Sequence, residues 1–140
     1  MRRNTYQGTA IRNALLNAGR PLSVNEVFEL AREDVVGLGI ATVYRNLKAL
    51  QAEGWIVQVD LPGQAPRWEV AYKNHHHHFL CSTCDRLLEI QDCPEGLMRL
   101  LPEGYTLDEH DILLRGQCDS CVRDVNSNSN RKHAKDRQDG

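Results

Sequence analysis

His75-His-His-His-Phe-Leu-Cys-Ser-Thr-Cys84 is the stretch on which the organisation of this 140-residue chain depends. It joins a run of histidines to a CxxC pair, and a second pair, Cys118-Asp-Ser-Cys121, follows later in the chain. Two residues between cysteines let both sulfurs reach one ion from a tight turn, and two such pairs complete a tetrahedral site. The spacing therefore predicts a structural zinc site, whose ligands are Cys81, Cys84, Cys118 and Cys121.

Two alternatives to this zinc site are an iron–sulfur or rubredoxin-like centre and separate thiols that act as a redox pair. In a reducing compartment, paired cysteines indicate metal binding rather than disulfide bonds. A site closed by four protein ligands leaves no position free for catalysis, so we expect no catalytic residues and no enzyme. The remaining cysteine, Cys93, is expected to be a small buried or surface thiol.

The histidine run predicts a second metal site. Alternate side chains of a strand point to opposite faces, so His76 and His78 would share one face and the other two histidines the opposite face. Two histidines at this spacing can chelate one ion, and Glu69 and Glu89 are candidates for further ligands. Imidazole and carboxylate together suit Fe²⁺, Mn²⁺, Zn²⁺, Co²⁺ or Ni²⁺. The alternative is a solvated polar strand.

Upstream of the histidine run, the apolar pattern predicts three short helices and a hairpin. Ser23 and Glu26 form a capping box that opens the second helix, and Gly54 ends the third. Two strand-like runs, 55–60 and 67–72, flank a turn rich in Pro and Gly, which is the element order of a winged helix. The apolar stripes of the three helices are Ile11, Ala14, Leu15 and Ala18; Val24, Val27, Phe28 and Ala31; and Ile40, Val43, Leu47 and Leu50.

Beyond Asn74 the pattern predicts a small unit that mixes helix and strand. A short helix is expected over 94–101, and the polar segment from Val125 is expected to be disordered. The strands expected between Asn74 and Val125 cover 75–80, 86–90, 105–107 and 111–115.

Charge and hydropathy restrict the partners of the chain. The net charge is −2, so the molecule as a whole is not basic, as a protein that binds nucleic acid over its entire surface would be. Up to Val57, however, basic residues outnumber acidic ones. This asymmetry favours DNA at the N-terminal end. No apolar run approaches membrane-spanning length and no signal-peptide pattern is present, so we expect a cytoplasmic protein without a membrane partner.

Four blocks of the sequence resemble the ferric uptake regulator (Fur) family. They are Arg3-x-Thr5-x-Gln7, Ala41-Thr-Val-Tyr-Arg-Asn-Leu47, the histidine run with its CxxC pair, and the second CxxC pair, in the family's order. The resemblance covers about residues 3–121. It implies a homodimeric regulator, usually a repressor, that binds operator DNA when it holds metal. The domains implied are a winged-helix DNA-binding domain over 1–73, a small α/β metal-binding dimerisation domain with the zinc site over 74–124, and a disordered polar tail over 125–140.

The resemblance places the exposed face of the third helix on double-stranded DNA. Tyr44 and Arg45 fall off the apolar stripe, so exposure is expected. Tyr44 would contact a thymine methyl and Arg45 a phosphate or a guanine edge, while Thr42 and Lys48 would hold phosphates. The alternative for these four residues is an ordinary solvated helix face.

The family's metal sites map onto the histidine run and its surroundings. Many members complete the sensory site with a histidine before the second helix, and Pro21 stands there in this chain. Peroxide sensors resemble the same pattern with Asp at the Glu89 position, which argues against peroxide sensing. The implied sensory ligands are Glu69, His76, His78 and Glu89, and those of a second, more variable site are His75, His77, His110 and a carboxylate near Glu95.

The sequence therefore predicts a metal-responsive transcriptional repressor with structural Zn²⁺ and regulatory Fe²⁺, Zn²⁺ or Mn²⁺. Iron is favoured because no cysteine of the kind that zinc sensors use is obvious in the sensory site. The alternative is a zinc sensor or another metal- or peroxide-responsive member of the same family. Two other classes of protein fit the sequence less well. A zinc hydrolase or nucleobase deaminase would need an open metal position, and the deaminase signature is absent. A metal-storage or chaperone module would not need the winged helix.

Overall fold

The computed structural model describes residues 2–124, with side chains from Tyr6 onward. The predicted disordered tail over 125–140 lies outside the described residues. Helices and strands are mixed along the chain, which confirms the α+β class. The helices are α1 (Arg2–Ala18), α2 (Val24–Ala31) and α3 (Ile40–Ala52), and the strands are β1 (Ile56–Val59), β2 (Arg67–Val70), β3 (His77–Cys81), β4 (Leu87–Ile90) and β5 (Leu113–Gly116).

The chain divides into two compact units. The first unit is made of the residues up to His76 together with Glu89–Cys93, and the second of His77–Leu88 together with the residues from Pro94 onward. In the described part of the chain, no helix is long and apolar enough to cross a membrane.

The core of the first unit is built from the predicted helical stripes. Gly19 adopts a φ of +63° directly after α1, a left-handed conformation that ends the helix where the sequence predicts it. One stripe residue departs from the prediction: Ile40 is 45% exposed, because it is the first residue of α3 and lies at the end of the helix. The buried apolar residues of this core are Ala10, Ile11, Leu15, Leu22, Val27, Ala31, Val35, Leu38, Val43, Leu47, Leu50, Ile56 and Trp68.

The hairpin of β1 and β2 is tied to the helices through Trp68. The strands pair antiparallel, with Ile56 opposite Val70. The backbone N–H and carbonyl of Trp68 bond with those of Leu22 at 2.8 and 2.9 Å, and its indole N–H donates to Gln51 Oε1 at 3.1 Å. Three helices and a hairpin therefore follow one another in the predicted order, and the hairpin packs its indole into the helical core.

The capping box predicted at the start of α2 is present. The Glu26 N–H donates to Ser23 Oγ at 3.2 Å, and the Ser23 N–H donates to Glu26 Oε1 at 3.1 Å. Burial tends to raise the pKa of Glu26, but the hydrogen bonds from Arg20 and Ser23 outweigh it and leave this pKa below its ordinary value. The carboxylate of Glu26 is therefore stabilised in its charged form by the fold.

Glu26→Gln is expected to lower the free energy of unfolding by about 1 kcal/mol at neutral pH, because an amide does not replace the charge that faces Arg20. Since the folded-state pKa is lowered, this contribution is present above the unfolded-state pKa and is lost as the pH falls through the folded-state pKa. Urea unfolding over a pH series should show the difference between variant and wild type shrinking below about pH 4. The exposed Glu29 is the control, and a difference that stays constant in acid would contradict the assignment.

The second unit contains β3, β5 and the start of β4, and these strands form a sheet in the order β4-β3-β5. Two predictions made for this region are wrong. The segment 105–107 is not a strand, because it follows Gly104 at a φ of +87° and pairs with no strand among the described residues. The helix expected over 94–101 is reduced to a single 3-10 turn, Leu97–Leu100, which begins after Gly96 in a left-handed conformation and ends where Leu101 becomes extended.

Candidate metal centres

The four cysteines meet because β3 and β5 run parallel. Cys81 is the last residue of β3 and lies opposite Gly116, the last residue of β5. Parallel strands end at the same edge of a sheet, so the turn that carries Cys84 and the residue Cys118, just after β5, emerge side by side. Helical residues 119–124 then bring Cys121 back to the same edge.

The distances between the sulfurs fit one tetrahedral ion. The Sγ atoms of Cys81 and Cys121 are 3.7 Å apart, and those of Cys84 and Cys118 are 3.9 Å apart. Two sulfurs that each lie about 2.3 Å from a tetrahedral zinc ion are separated by roughly 3.8 Å. A disulfide would bring them to about 2 Å, so these cysteines are present as thiols. The predicted ligand set therefore forms one cluster that fits Zn²⁺.

The thiols of this cluster differ in acidity. The backbone N–H groups of Cys84 and Cys118 donate to Cys81 Sγ at 3.5 and 3.4 Å, and they lower the pKa of this thiol to about 6. The hydrogen bond with the Cys118 thiol, together with burial, raises the pKa of Cys121 to about 12. The fold thus prepares one thiolate, whereas Cys121 would lose its proton only to a bound metal.

A second cluster lies in the first unit and combines two carboxylates with an imidazole. His76 Nε2 is 3.0 and 3.1 Å from the two carboxylate oxygens of Glu69, a residue of β2. His76 Nδ1 is 3.7 Å from Glu89 Oε1, on β4. Relative to full exposure, the side chains of Glu69, Glu89 and His76 are 5%, 10% and 13% exposed. We refer to these three residues as the carboxylate–histidine cluster.

This cluster has the chemistry of a site for a divalent cation. Donor atoms that each lie about 2.1 Å from one ion are separated by roughly 3 Å, which is the separation of His76 Nε2 from the Glu69 oxygens. Burial tends to lower the pKa of His76, but the Asn74 carbonyl and the carboxylates of Glu69 and Glu89 raise it above its ordinary value. The carboxylates thus favour positive charge at this position, and one nitrogen with carboxylate oxygens fits Fe²⁺, Mn²⁺ or Zn²⁺.

The remaining histidines of the run fall on both sides of the division between the units. In the second unit, His77 is buried, its Nδ1 accepts a hydrogen bond from the Ile112 N–H at 3.1 Å, and its ring lies 5.0 Å from that of His110. His78, also in the second unit, is half-buried. The second unit therefore brings together His77 and His110, two of the predicted ligands of the variable site.

Cys93 is a candidate ligand that the sequence reasoning left outside both metal sites. In the first unit its Sγ lies 3.9 Å from His75 Nε2, and Cys93 itself is exposed. Glu95, the carboxylate suggested for the variable site, is exposed. No spacing rule connects His75 with Cys93, because they are separated along the chain by a pair of strands.

The predicted DNA-contacting residues lie together on one face of α3. Tyr44 is 46% exposed and its ring packs edge-on against Trp68, with the centroids 6.3 Å apart. Lys48 Nζ lies 5.3 Å from the Tyr44 centroid, and the exposed Arg45 donates to Thr42 Oγ1 at 3.2 Å. Beside them runs a groove, whose lining residues are Gln7, Thr42, Arg45, Asn46 and Ala49.

The chain is similar to known proteins over most of its length. Residues 2–115 match the model of the Ferric uptake regulator family. A ferric uptake regulation protein of Helicobacter pylori is 30% identical over 122 residues, which are 85% of this chain and 81% of that protein. One of Synechococcus elongatus is 28% identical over 116 residues, 79% of this chain and 78% of that protein.

A solved structure also matches this chain. The Helicobacter pylori ferric uptake regulator Fur, described as having three functional metal binding sites, superposes with a TM-score of 0.63 at 28% identity. The match covers 83% of this chain and 79% of that one. With the family model matching most of the chain, this protein belongs to the ferric uptake regulator family.

Proposed function

We propose that this protein is a metal-responsive, DNA-binding transcriptional repressor of metal homeostasis, and that the metal it senses is iron. The observation that carries the proposal is the nearly buried carboxylate–histidine cluster, whose Glu69 lies on the strand that also carries Trp68. Because Trp68 packs against Tyr44, an ion bound at Glu69 would act on the strand that supports α3. His78 is proposed from the sequence as the further protein ligand, since Pro21 offers no side-chain donor.

The proposed DNA-reading surface is the exposed face of α3. Arg45 is exposed and offers a planar fork of donors for a phosphate or a guanine edge. Tyr44 packs against Trp68, and Lys48 lies over both rings, so the Tyr44 ring would meet DNA with little loss of conformational freedom. Thr42 lies within hydrogen-bond distance of Arg45 and would orient it or bind a phosphate itself.

The second unit is proposed as the dimerisation domain, with the four-cysteine zinc site as its structural centre. In Fur-type regulation a homodimer sets the spacing of two recognition helices, and the second unit offers apolar surface for such a contact. The proposed domain limits remain 1–73 and 74–124, the proposed location is the cytoplasm, and the variable site on His75, His77, Glu95 and His110 stays a prediction. The large exposed apolar residues of the unit are Met98, Leu100, Tyr105, Leu114 and Val122.

Zinc sensing is the second candidate function, and Cys93 favours it. The Cys93 thiol lies 3.9 Å from an imidazole nitrogen. Such a pair of ligands favours thiophilic Zn²⁺ over Mn²⁺ or Fe²⁺. The carboxylate–histidine cluster contains no sulfur, and it therefore favours iron or manganese. The two candidates are separated by asking which metal changes DNA binding.

The test is DNA binding by the reduced, zinc-loaded protein with each metal added under low oxygen. Duplexes selected from a random library in the presence of Fe²⁺ serve as probe, and fluorescence anisotropy measures affinity with Fe²⁺, Mn²⁺, added Zn²⁺ or a weak chelator. We expect Fe²⁺ to raise the affinity by about 5- to 150-fold, the usual range of coupling between two sites. A response to Zn²⁺ alone would favour zinc sensing, and metal binding with no change in DNA affinity would favour a storage module.

A further inference from the structure

Lys73 occupies the carboxylate–histidine cluster from within the first unit. Its Nζ lies 3.0 Å from Glu89 Oε2 and 3.9 Å from Glu69 Oε2. The Lys73 side chain is 23% exposed, so most of its length is covered by protein. The ammonium thus bridges the two carboxylates that we propose as metal ligands.

The bridge has an electrostatic cause. Glu69 and Glu89 are nine-tenths or more buried, and two carboxylates removed from water need a positive partner. Lys73 supplies one positive charge through its contacts with both carboxylates. A divalent cation bound to His76 Nε2 and Glu69, with Glu89 nearby, would supply positive charge instead. An ammonium and a divalent ion sharing carboxylate oxygens would repel each other strongly at this burial, so occupation by both is unfavourable.

The backbone turn before Lys73 directs its side chain into the cluster. Tyr72 adopts a φ of +65°, a left-handed conformation that is unusual for a bulky side chain. Lys73 follows Glu69 by four residues and lies beyond the end of β2 at Val70. After the turn, its Nζ faces back toward the Glu69 carboxylate. Non-glycine residues in this conformation persist only where their surroundings hold them, and the two ion pairs of Lys73 are such a constraint.

We propose that Lys73 is a built-in competitor of the sensed metal: its ammonium pairs with Glu69 and Glu89 in the metal-free protein, offsetting part of their negative charge, and is displaced when a divalent cation binds. Lys73 would thereby set the metal concentration at which the regulator responds, without being a ligand itself. This inference rests on the proposed role of the carboxylate–histidine cluster as the sensing site.

The test compares Lys73→Met with Lys73→Arg, which keeps the charge. Mn²⁺ serves as a probe that is stable in air, and competition with a fluorescent chelator gives its Kd on protein whose four-cysteine site already holds zinc. Lys73→Met is expected to bind Mn²⁺ at least about fivefold more tightly than the wild type, and its metal-free form is expected to melt at a lower temperature. Lys73→Arg should stay close to the wild type in both measurements.

An unchanged or weaker Mn²⁺ affinity of Lys73→Met would overturn the proposal and leave Lys73 a structural ion-pair partner. A second measurement does not depend on the folding of any variant: in wild-type protein with labelled lysines, the Lys73 side-chain resonance should move to a solvent-exposed position when diamagnetic Zn²⁺ fills the cluster. A resonance that keeps its position with the cluster filled would also overturn the proposal. Failure of the proposed function looks different, since His76→Ala would then leave the Mn²⁺ affinity of the protein unchanged.

Discussion

Cys81→Ser is expected to release the structural zinc and to unfold the second unit, while the first unit stays folded. The reason is the small apolar core of the second unit. Among its described residues, the buried apolar side chains besides the cysteines are Leu80 and Leu87. The partly buried Phe79 and Leu88 pack against the cysteines themselves. Without the metal, this unit has too little buried apolar surface to offset the entropy of folding.

Cys81 is the most sensitive of the four positions. Its Sγ accepts hydrogen bonds from the backbone N–H groups of Cys84 and Cys118, and its carbonyl accepts one from the Asp85 N–H at 2.9 Å. Serine would bind zinc poorly and would also change the geometry of these bonds. Structural zinc sites contribute folding free energy directly, and small domains that depend on them are unfolded without metal.

The measurement is zinc content by elemental analysis together with an amide NMR spectrum of the purified variant. Signals of residues in the second unit should collapse to unfolded positions, whereas those of the α1–α3 core should persist. Cys93→Ser is the matched control, because Cys93 is exposed and lies outside the four-sulfur cluster. If Cys81→Ser retained a full equivalent of zinc and a dispersed spectrum of the second unit, the assignment of a structural zinc site would be wrong.

The features that the sequence predicts well are local ones. The capping box at Ser23 and Glu26 requires a spacing of three residues within one turn, and it is present. The first CxxC pair is likewise closed by a turn, and the second by the start of a helix. The parallel pairing of β3 with β5, which brings the knuckles together, could not be read from the sequence, because strand direction depends on contacts between distant segments. The expected strand at 105–107 failed for the same reason, since an extended segment becomes a strand only when it finds a partner.

The composition of the carboxylate–histidine cluster was only partly predictable. The histidine run and the resemblance both point to Glu69, His76 and Glu89, and the structure brings these three together. Lys73 carried no signal, because a lysine four residues after a glutamate is ordinary at a protein surface. Its inward direction depends on the left-handed backbone of Tyr72, a conformation that propensity gives no reason to expect of a tyrosine.

His76→Ala is expected to separate metal sensing from DNA binding. Of the cluster's three ligand candidates in the first unit, His76 is the nitrogen donor, and it contacts both carboxylates. Its loss would leave Glu69 and Glu89 paired with Lys73, which offsets part of their negative charge without metal. The ratio of DNA affinities with and without Fe²⁺ should fall from about 5- to 150-fold to about 1. The fold should persist, because His76 lies outside the apolar core of the first unit.

Arg45→Ala provides the contrast that gives this result its meaning. Arg45 is exposed on α3 and takes no part in the carboxylate–histidine cluster, so its removal should weaken DNA binding equally with and without metal. A loss of about 1–3 kcal/mol is expected for an arginine that contacts a base edge, and the metal ratio should stay at the wild-type value. Anisotropy titrations of both variants against one duplex measure the two quantities separately. Should His76→Ala keep the wild-type metal ratio, the ion that controls DNA binding would have to reside elsewhere, and the cluster would be a structural network centred on Lys73.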